Sequence, residues 1–250
     1  MRLAAGSRAL ELDETLARVA TPRCAFQNFV VDRPATLSVA LGDVSAASAQ
    51  EFVTALGAVG RCVETQGQLR FGPPADMYVA EAAARIAYQR EARALGGILV
   101  HSSSVHFNGR AVMAVGQSGA GKSTLAKNLI EAGGTLLSDE ITLLLPDGTV
   151  YGTPFRSNVQ TPGHPGPARI GVLCLIVHAQ EERLEPLTPA REISKILSQV
   201  YEPFAGATGA TREALACVSS VLTRCGLQAY HCRNHPDAGH FLRRLLEAHG

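Results

Sequence analysis

The sequence lacks three features that mark large classes of proteins: an excess of charge of one sign, a long hydrophobic run, and paired cysteines. Its 23 lysines and arginines are balanced by 22 aspartates and glutamates, which leaves a formal net charge of +1. Without a strongly basic surface, nucleic acid and anionic membranes are disfavoured as partners. The longest apolar run, residues 170–179, is about half the length that crosses a bilayer and instead predicts a buried strand.

The cysteines and the first residues of the chain favour a reducing, cytoplasmic location. None of the six cysteines forms a C-x-x-C pair, and Cys174 and Cys217 fall in apolar segments, where reduced thiols pack as small hydrophobes. Glu11, Asp13 and Glu14 stand where a signal peptide would have its apolar core.

The order of segments predicts an α/β protein with two parts. Residues 1–75 are expected to form a small β-rich subdomain, with strands over 24–31 and 35–41 and a hairpin over 61–72. A helix over 77–95, capped by Asp76 and ended by glycines, is expected to lead into a nucleotide-binding domain over 76–250.

The nucleotide-binding part is predicted to begin with two strands, a helix and two more strands. A strand, two helices, another strand and a last amphipathic helix follow; their predicted bounds are 171–179, 190–201, 212–225, 227–232 and 238–249. The proline- and glycine-rich segments 161–170 and 202–211 predict loops, and the first suggests a mobile lid.

The strongest signal is the segment GQSGAGKS, in which Gly116, Gly121, Lys122 and Ser123 match the pattern G-x-x-x-x-G-K-[ST] between a predicted strand and a predicted helix. Such a loop directs backbone N–H groups at phosphate oxygens, and the helix dipole adds positive charge. ATP is therefore the expected ligand. The predicted binding residues are Gly116, Gln117, Ser118, Gly119, Ala120, Gly121, Lys122, Ser123 and Thr124.

Two carboxylates follow the loop after one short predicted strand. A phosphoryl transferase needs carboxylates to hold magnesium and to accept the proton of an acceptor hydroxyl. Asp139 and Glu140 are the candidates, with Ser123 as a further magnesium ligand. The alternative is a solvated acidic turn.

Two further side chains are candidates for catalysis. His101 lies on the strand before the loop strand, although a lone histidine is more often structural. Arg156 would stabilise charge on the transferring phosphoryl group, or would simply be a surface arginine. A zinc site in the region of Cys225–His235 is rejected because the spacing matches no usual ligand pattern.

The segment HSSSVHFNGRAVMAVGQSGAGKSTLAKNLIEAGGTLLSDE, residues 101–140, resembles the nucleotide core of the HPr kinase/phosphorylase family. The resemblance implies a P-loop core of the HPr kinase and phosphoenolpyruvate carboxykinase type, with a mainly antiparallel or mixed sheet. It implies that Asp139 is the catalytic base and that His101 lies near the phosphates. Glu140 stands where a second aspartate is usual in that family.

The chain also resembles the shorter HPr-kinase-like proteins, some of which phosphorylate a serine of a precursor peptide, as lasso peptide kinases do. The expected activity is thus ATP- and Mg²⁺-dependent phosphorylation of a serine in a peptide or protein. A small-molecule alcohol kinase or carboxykinase-like enzyme, and a non-catalytic nucleotide-sensing regulator, are the alternatives. Assembly into a homo-oligomer is left open.

Overall fold

The computed structural model describes residues 1–44, 49–54, 57, 59–72, 76–204 and 212–248, except for the side chains of residues 189–192. Within these ranges the chain is a mixed α/β protein with two sheets, of six and eight strands.

The first sheet is built from the first third of the chain. Its strands are β1 (Arg2–Ala5), β2 (Arg8–Leu12), β3 (Leu37–Leu41), β4 (Gln50–Val53), β5 (Val59–Thr65) and β6 (Gln68–Phe71). The order across the sheet is β1-β2-β3-β6-β5-β4, and β3 is parallel to both of its neighbours. Helix α1 (Glu14–Ala20) connects β2 to β3 and begins at Asp13, whose side chain accepts two backbone N–H groups of the first turn.

The second sheet carries the glycine-rich segment. Its strands are β7 (Ile98–Phe107), β8 (Arg110–Val115), β9 (Thr135–Ser138), β10 (Ile141–Leu144), β11 (Thr149–Tyr151), β12 (Ala168–His178), β13 (Arg183–Pro186) and β14 (Gln228–Cys232). Their order is β11-β10-β7-β8-β12-β14-β13, with β9 paired beside β7. Strand β12 is parallel to β8 and β14, whereas β7 is antiparallel to β8, so the sheet is mixed.

Helices cover both faces of this second sheet. They are α2 (Met77–Ala94), α3 (Lys122–Glu131), α4 (Pro189–Leu197), α5 (Arg212–Cys225) and α6 (Asp237–Ala248). Alternation along β8 divides its side chains: Val112 and Ala114 pack in the core under α3 and α6, and Met113 packs in the core under α5.

Helix α2 joins the two sheets. Its buried alanines share one core with Leu10 and Leu69 of the first sheet and with Leu99 and Leu143 of the second. The Asp76 side chain accepts the N–H groups of the first turn, as the sequence predicts. Because α2 packs against both sheets, its polar side chains can connect the first third of the chain to the second sheet.

Most of the predicted elements are confirmed. The hairpin over 61–72 corresponds to β5 and β6, and the predicted elements between residues 97 and 145 correspond to β7, β8, α3, β9 and β10 in that order. The mixed sheet implied by the family resemblance is also observed. The sequence interpretation did not identify β1, β2, α1, β4, β11 or β13.

The predicted strand over residues 24–31 is wrong. Phe26–Phe29 form a 3-10 helix, and isolated bridges pair Cys24 with Phe155 and Val30 with Leu3 of β1. Phe26 and Phe29 are both buried. A spacing of three residues places them on one side of a 3-10 turn, whereas a strand would direct them to opposite faces.

The proline-rich segment 161–170 is not a separate lid. The N–H of His164 donates to the carbonyl of Leu136 at 2.9 Å, and the carbonyl of Gly163 accepts the side-chain amide of Asn28 at 3.0 Å. Residues 168–170 already belong to β12. These bonds hold the segment along β9, and the lid interpretation is not supported.

Two parts of the sequence interpretation are not tested. The boundary between residues 75 and 76 adjoins residues 73–75, which lie outside the described residues, as does most of the predicted loop 202–211.

None of the described helices combines the length and the hydropathy needed to cross a membrane.

Candidate active site

A loop of residues 116–121, named here the glycine loop, connects the end of β8 to the start of α3. Gly116 has φ 142° and Gly121 has φ 94°, a backbone region that favours glycine. Gly121 caps α3 without a side-chain hydrogen bond to its first turn. The cap residue therefore supplies no side-chain acceptor for the first N–H groups of α3. Helix N-termini with such N–H groups bind anions.

Lys122 folds back over this loop. Its ammonium group donates to the carbonyl oxygens of Gly116 at 2.7 Å and Gln117 at 2.9 Å. Burial lowers the pKa of Lys122, and the nearby carboxylates of Glu140 and Asp139 oppose that shift. The lysine thus places its positive charge at the glycine loop.

The glycine loop, the acidic pair and His101 surround one cavity of about 540 Å³. The lining residues are His101, Gly116, Gln117, Ser118, Gly119, Gly121, Lys122, Ser123, Thr124, Asp139, Glu140, Ser157, Asn158 and Gln199. Of the sequence-predicted site residues, this set contains all except Ala120 and Arg156. Strand pairing brings the glycine loop, the acidic pair and His101 together, because β8 and β10 both pair with β7, which carries His101.

Asp139 is held in the cavity wall by backbone donors. It is 4% exposed, and its Oδ2 accepts the N–H groups of Asn158 at 3.0 Å and Val159 at 2.9 Å. Its Oδ1 is buried without a hydrogen-bond partner. Burial raises the pKa of Asp139, although the N–H of Val159 and the hydroxyl of Ser123 act in the opposite direction.

Glu140 is engaged by a cation from outside the cavity. Its Oε1 accepts from the guanidinium of Arg85 at 3.3 Å and lies 3.9 Å from Nδ1 of His101. Arg85 belongs to α2 and is itself buried. Adjacent residues of the acidic pair therefore have different surroundings: Asp139 is bound by backbone N–H groups and Glu140 by an arginine.

His101 occupies the side of the cavity next to Glu140. Burial lowers the pKa of this imidazole, and the positive charges of Arg85 and Lys122 lower it further, while Glu140 raises it. Its backbone N–H donates to the carbonyl of Gln199 at 2.7 Å. The histidine is therefore fixed close to the glycine loop with its neutral form favoured.

Arg156 is not brought into the cavity wall. It follows Phe155, which pairs with Cys24 of the first third. Burial raises the pKa of the Cys24 thiol to about 12, and the charge of Arg156 is one of the weaker effects that oppose this rise. Nε of Arg156 is buried without a hydrogen-bond partner. Its role toward a phosphoryl group stays a prediction.

The side-chain oxygen atoms at the cavity are of the kind that binds a magnesium ion. Magnesium is usually held by one or two carboxylates together with substrate phosphates and water. Asp139 supplies a buried oxygen without a partner, and Ser123 and Glu140 line the same cavity. In the described ranges no three His, Cys, Asp or Glu side chains gather as a metal cluster. A bound ion would therefore depend on phosphate and water as well.

Four residues of the site were not identified from the sequence. Ser157, Asn158 and Gln199 line the cavity from distant segments, and no local pattern marks them. Arg85 does carry a signal, since it stands four residues after Glu81 in an alanine-rich helix. A charged pair at that spacing in the otherwise apolar first half of a helix indicates a buried ion pair.

A second cavity, of about 240 Å³, adjoins the first at the glycine loop. Both are lined by Gly119, Gly121 and Thr124, but the second contains none of Lys122, Ser123 or Asp139. Its other lining residues are Leu125, Asn128, Ile176, His178, Cys232, Arg233, Asn234 and Ala238. This wall combines apolar side chains with amide, imidazole and guanidinium groups.

Similarity of this chain to known proteins is found among solved structures. No family model matches the chain, and no curated protein matches it. Among solved structures, the Hpr(Ser) kinase/phosphatase from Coxiella burnetii is similar at 13% sequence identity and a TM-score of 0.31. That similarity covers 60% of this chain and 95% of the other. At this TM-score the likeness supports no conclusion about the chain's activity.

Proposed function

We propose that this chain is an ATP- and Mg²⁺-dependent kinase that transfers the γ-phosphate to a serine hydroxyl of a peptide or protein. The observation that carries the proposal is that Lys122, Ser123 and Asp139 line one cavity at the N-terminus of α3. Anion-binding backbone, a lysine and a carboxylate with an unpartnered oxygen are the parts that phosphoryl transfer requires.

The roles of these residues follow from their chemistry. Backbone N–H groups of the glycine loop and the ammonium of Lys122 would bind the β- and γ-phosphates. Ser123 and Asp139, with Glu140 beside them, would hold magnesium, which neutralises charge on the phosphates when bound. Asp139 would also accept the proton of the serine hydroxyl.

The transfer step requires no further reactant, because these groups account for each bond and for the proton. The serine oxygen forms a bond to the γ-phosphorus while the bond from that phosphorus to the bridging oxygen breaks. ADP leaves with the electron pair of the broken bond, and the hydroxyl proton passes to the Asp139 carboxylate. Positioning the hydroxyl within about 3 Å of Asp139 and in line with the broken bond is the main requirement on the protein.

The second cavity supports a nucleoside rather than a bare polyphosphate as the donor. Lys122 and Asp139 would lie at the γ-phosphate end of a bound nucleotide, so the α-phosphate would lie toward Thr124. The second cavity opens there, and its Ile176 and Leu125 side chains would pack on the faces of a base. Its polar groups, including Asn234 and Arg233, would bind the base edge or the ribose.

Three polar residues that line the first cavity support a peptide acceptor. Ser157 and Asn158 are exposed and Gln199 is buried, and all three line the first cavity. Hydroxyl and amide side chains of this kind can bind a peptide backbone without requiring a particular sequence. An extended segment carrying a serine is therefore the acceptor that we propose.

The test is incubation of the protein with Mg²⁺, γ-labelled ATP and a library of short serine-containing peptides, read by mass for an added phosphate. A phosphopeptide that disappears when its serine is replaced by alanine would support the proposal. Tight ATP binding without transfer to any peptide, protein or small alcohol would indicate a nucleotide sensor instead. Preferential transfer to a small alcohol would indicate a metabolite kinase.

A further inference from the structure

A chain of alternating charges runs from the first third of the protein into the candidate active site. Nε of Arg23 lies 2.7 Å from one oxygen of Glu81, and the guanidinium of Arg85 lies 2.6 Å from the other. Arg85 also reaches Glu140 at 3.3 Å, and Glu140 lines the cavity. The order of signs is positive, negative, positive, negative.

The two inner members of this chain are the most deeply buried. The side chains of Glu81 and Arg85 are 2% and 11% exposed, while that of Arg23 at the outer end is 38% exposed. A buried charge is costly unless it is paired with good geometry. Each inner charge has two partners of opposite sign, so removing any link would leave a buried charge partly unpaired.

Arg85 is further restrained by aromatic rings. Its guanidinium carbon lies 5.2 Å from the ring centre of Phe155 and 5.9 Å from that of Tyr201. Tyr201 in turn makes an edge contact with His101 at 5.9 Å. Ion pairs and ring faces thus hold one guanidinium in a single orientation next to the cavity.

The contacts of the Glu140 carboxylate with Arg85 and with His101 use the same oxygen, Oε1. We infer that Arg85 is a positioning residue that fixes the Glu140 carboxylate in the cavity wall, and that Glu81 and Arg23 hold Arg85 in place for this task. The inference rests on the proposed function for what Glu140 does there. Helix α2 and the first third of the chain would then position a residue of the site, although neither lines the cavity.

The same helix carries a matched ion pair that does not reach the cavity. Glu91 is also buried, at 3% exposed, and pairs with Arg8 of β2 and with the hydroxyl of Thr36. Replacing Arg8 removes a comparable ion pair between α2 and the first sheet while leaving the Arg85 chain untouched. Arg8→Lys is therefore the control for Arg85→Lys.

The first experiment measures access to Glu140 directly. Carboxyl groups are labelled with a carbodiimide and an amine, and the rate at Glu140 is read from its peptide by mass. Arg85→Lys keeps the charge but loses the planar fork, so Glu140 should be labelled about tenfold faster, the scale expected for losing a charge-assisted hydrogen bond. Arg8→Lys should label Glu140 at the wild-type rate.

The second experiment measures the site's function with Mn²⁺ as a magnetic probe. In the presence of ADP, Arg85→Lys should bind Mn²⁺ about tenfold more weakly, since outer partners of metal ligands commonly contribute that much. Arg8→Lys should bind it as the wild type does. A purely structural role would lower thermal stability in both variants without separating their Mn²⁺ affinities.

The outcomes separate the inference from the function on which it rests. If wild-type protein does not bind Mn²⁺ with nucleotide, the proposed function fails, and the labelling rates still decide whether Arg85 positions Glu140. Equal labelling in Arg85→Lys and wild type would overturn the inference. If Arg85→Lys does not fold, the labelling rate of Glu140 is measured in Arg23→Lys, at the more exposed end of the chain of charges. A smaller increase in that rate than for Arg85→Lys is expected. An unchanged rate would contradict the inference.

Discussion

The ammonium group of Lys122 donates to the carbonyl oxygen of Gly116, the first residue of the glycine loop, at 2.7 Å. The lysine is therefore bound to the loop that it would share with a triphosphate. Its lowered pKa reflects burial that two nearby carboxylates only partly offset. Incoming phosphate oxygens would replace neutral carbonyl acceptors with charged ones, which form stronger bonds.

Lys122→Ala should abolish tight ATP binding. Losing charge-assisted bonds to the phosphates is expected to weaken affinity by at least about tenfold, measured by calorimetry. Lys127→Ala is the matched control, because Lys127 lies on the same helix, is exposed and does not line the cavity. Equal affinities in the two variants would contradict the assignment of Lys122.

Asp139→Asn should keep ATP bound but slow phosphoryl transfer by about 100-fold or more, as expected for loss of a general base. The amide oxygen can still accept from the N–H groups of Asn158 and Val159, so the local backbone should persist. Asp147→Asn is the control, since Asp147 accepts from the N–H of Thr149 outside the cavity. Transfer at the parental rate in Asp139→Asn would exclude this carboxylate as the base.

The same variant should change how stability depends on pH. Burial raises the pKa of Asp139 in the folded chain above the ordinary aspartate value of 3.8. Between these two values the folded state keeps a proton that the unfolded state loses, so wild-type stability falls as the pH rises through this window. Asp139→Asn lacks this loss and should gain stability relative to wild type as the pH rises from acidic values through the raised pKa of Asp139.

The measurement is the urea midpoint of both proteins across that pH range, without magnesium or nucleotide, because bound ligand would stabilise only the folded state. Profiles that stay parallel from acidic to neutral pH would show that the Asp139 carboxylate is not desolvated in the folded protein.

Ile176→Ala should weaken ATP binding while leaving the affinity for inorganic triphosphate unchanged. Ile176 lines the second cavity, and removing its outer carbons should cost about tenfold in affinity if a base packs on it. Ile170→Ala is a control on the same strand, because Ile170 lines neither cavity at the glycine loop. Equal loss for ATP and triphosphate would mean that the nucleoside lies elsewhere.

A serine in an extended peptide should be a far better acceptor than free serine, as compared by kcat/KM. Polar groups on the wall of Ser157, Asn158 and Gln199 can bind the peptide backbone on both sides of the reacting hydroxyl. Free serine lacks those contacts. A higher kcat/KM for free serine or another small alcohol would replace the peptide proposal with a metabolite kinase.

Local sequence pattern was sufficient to predict the glycine loop and the strands and helix around it. The run from β7 to β10 follows from alternating apolar residues, the glycines of the loop and the helix-forming segment after Ser123, all of which act over a few residues. Pattern failed at residues 24–31, where the burial of Phe26 and Phe29 on one side of a turn outweighed the strand preference of their neighbours.

The chemical groups of the site can be identified from residues 116–140 alone, which contain a glycine loop, a lysine and an acidic pair. The difference between the two carboxylates depends on the tertiary structure. Asp139 is bound by the N–H groups of Asn158 and Val159, and Glu140 by Arg85, which is 55 residues away along the chain. The contact of Arg85 depends on how α2 packs between the two sheets, and packing between distant segments leaves no periodic signal in the sequence around either carboxylate.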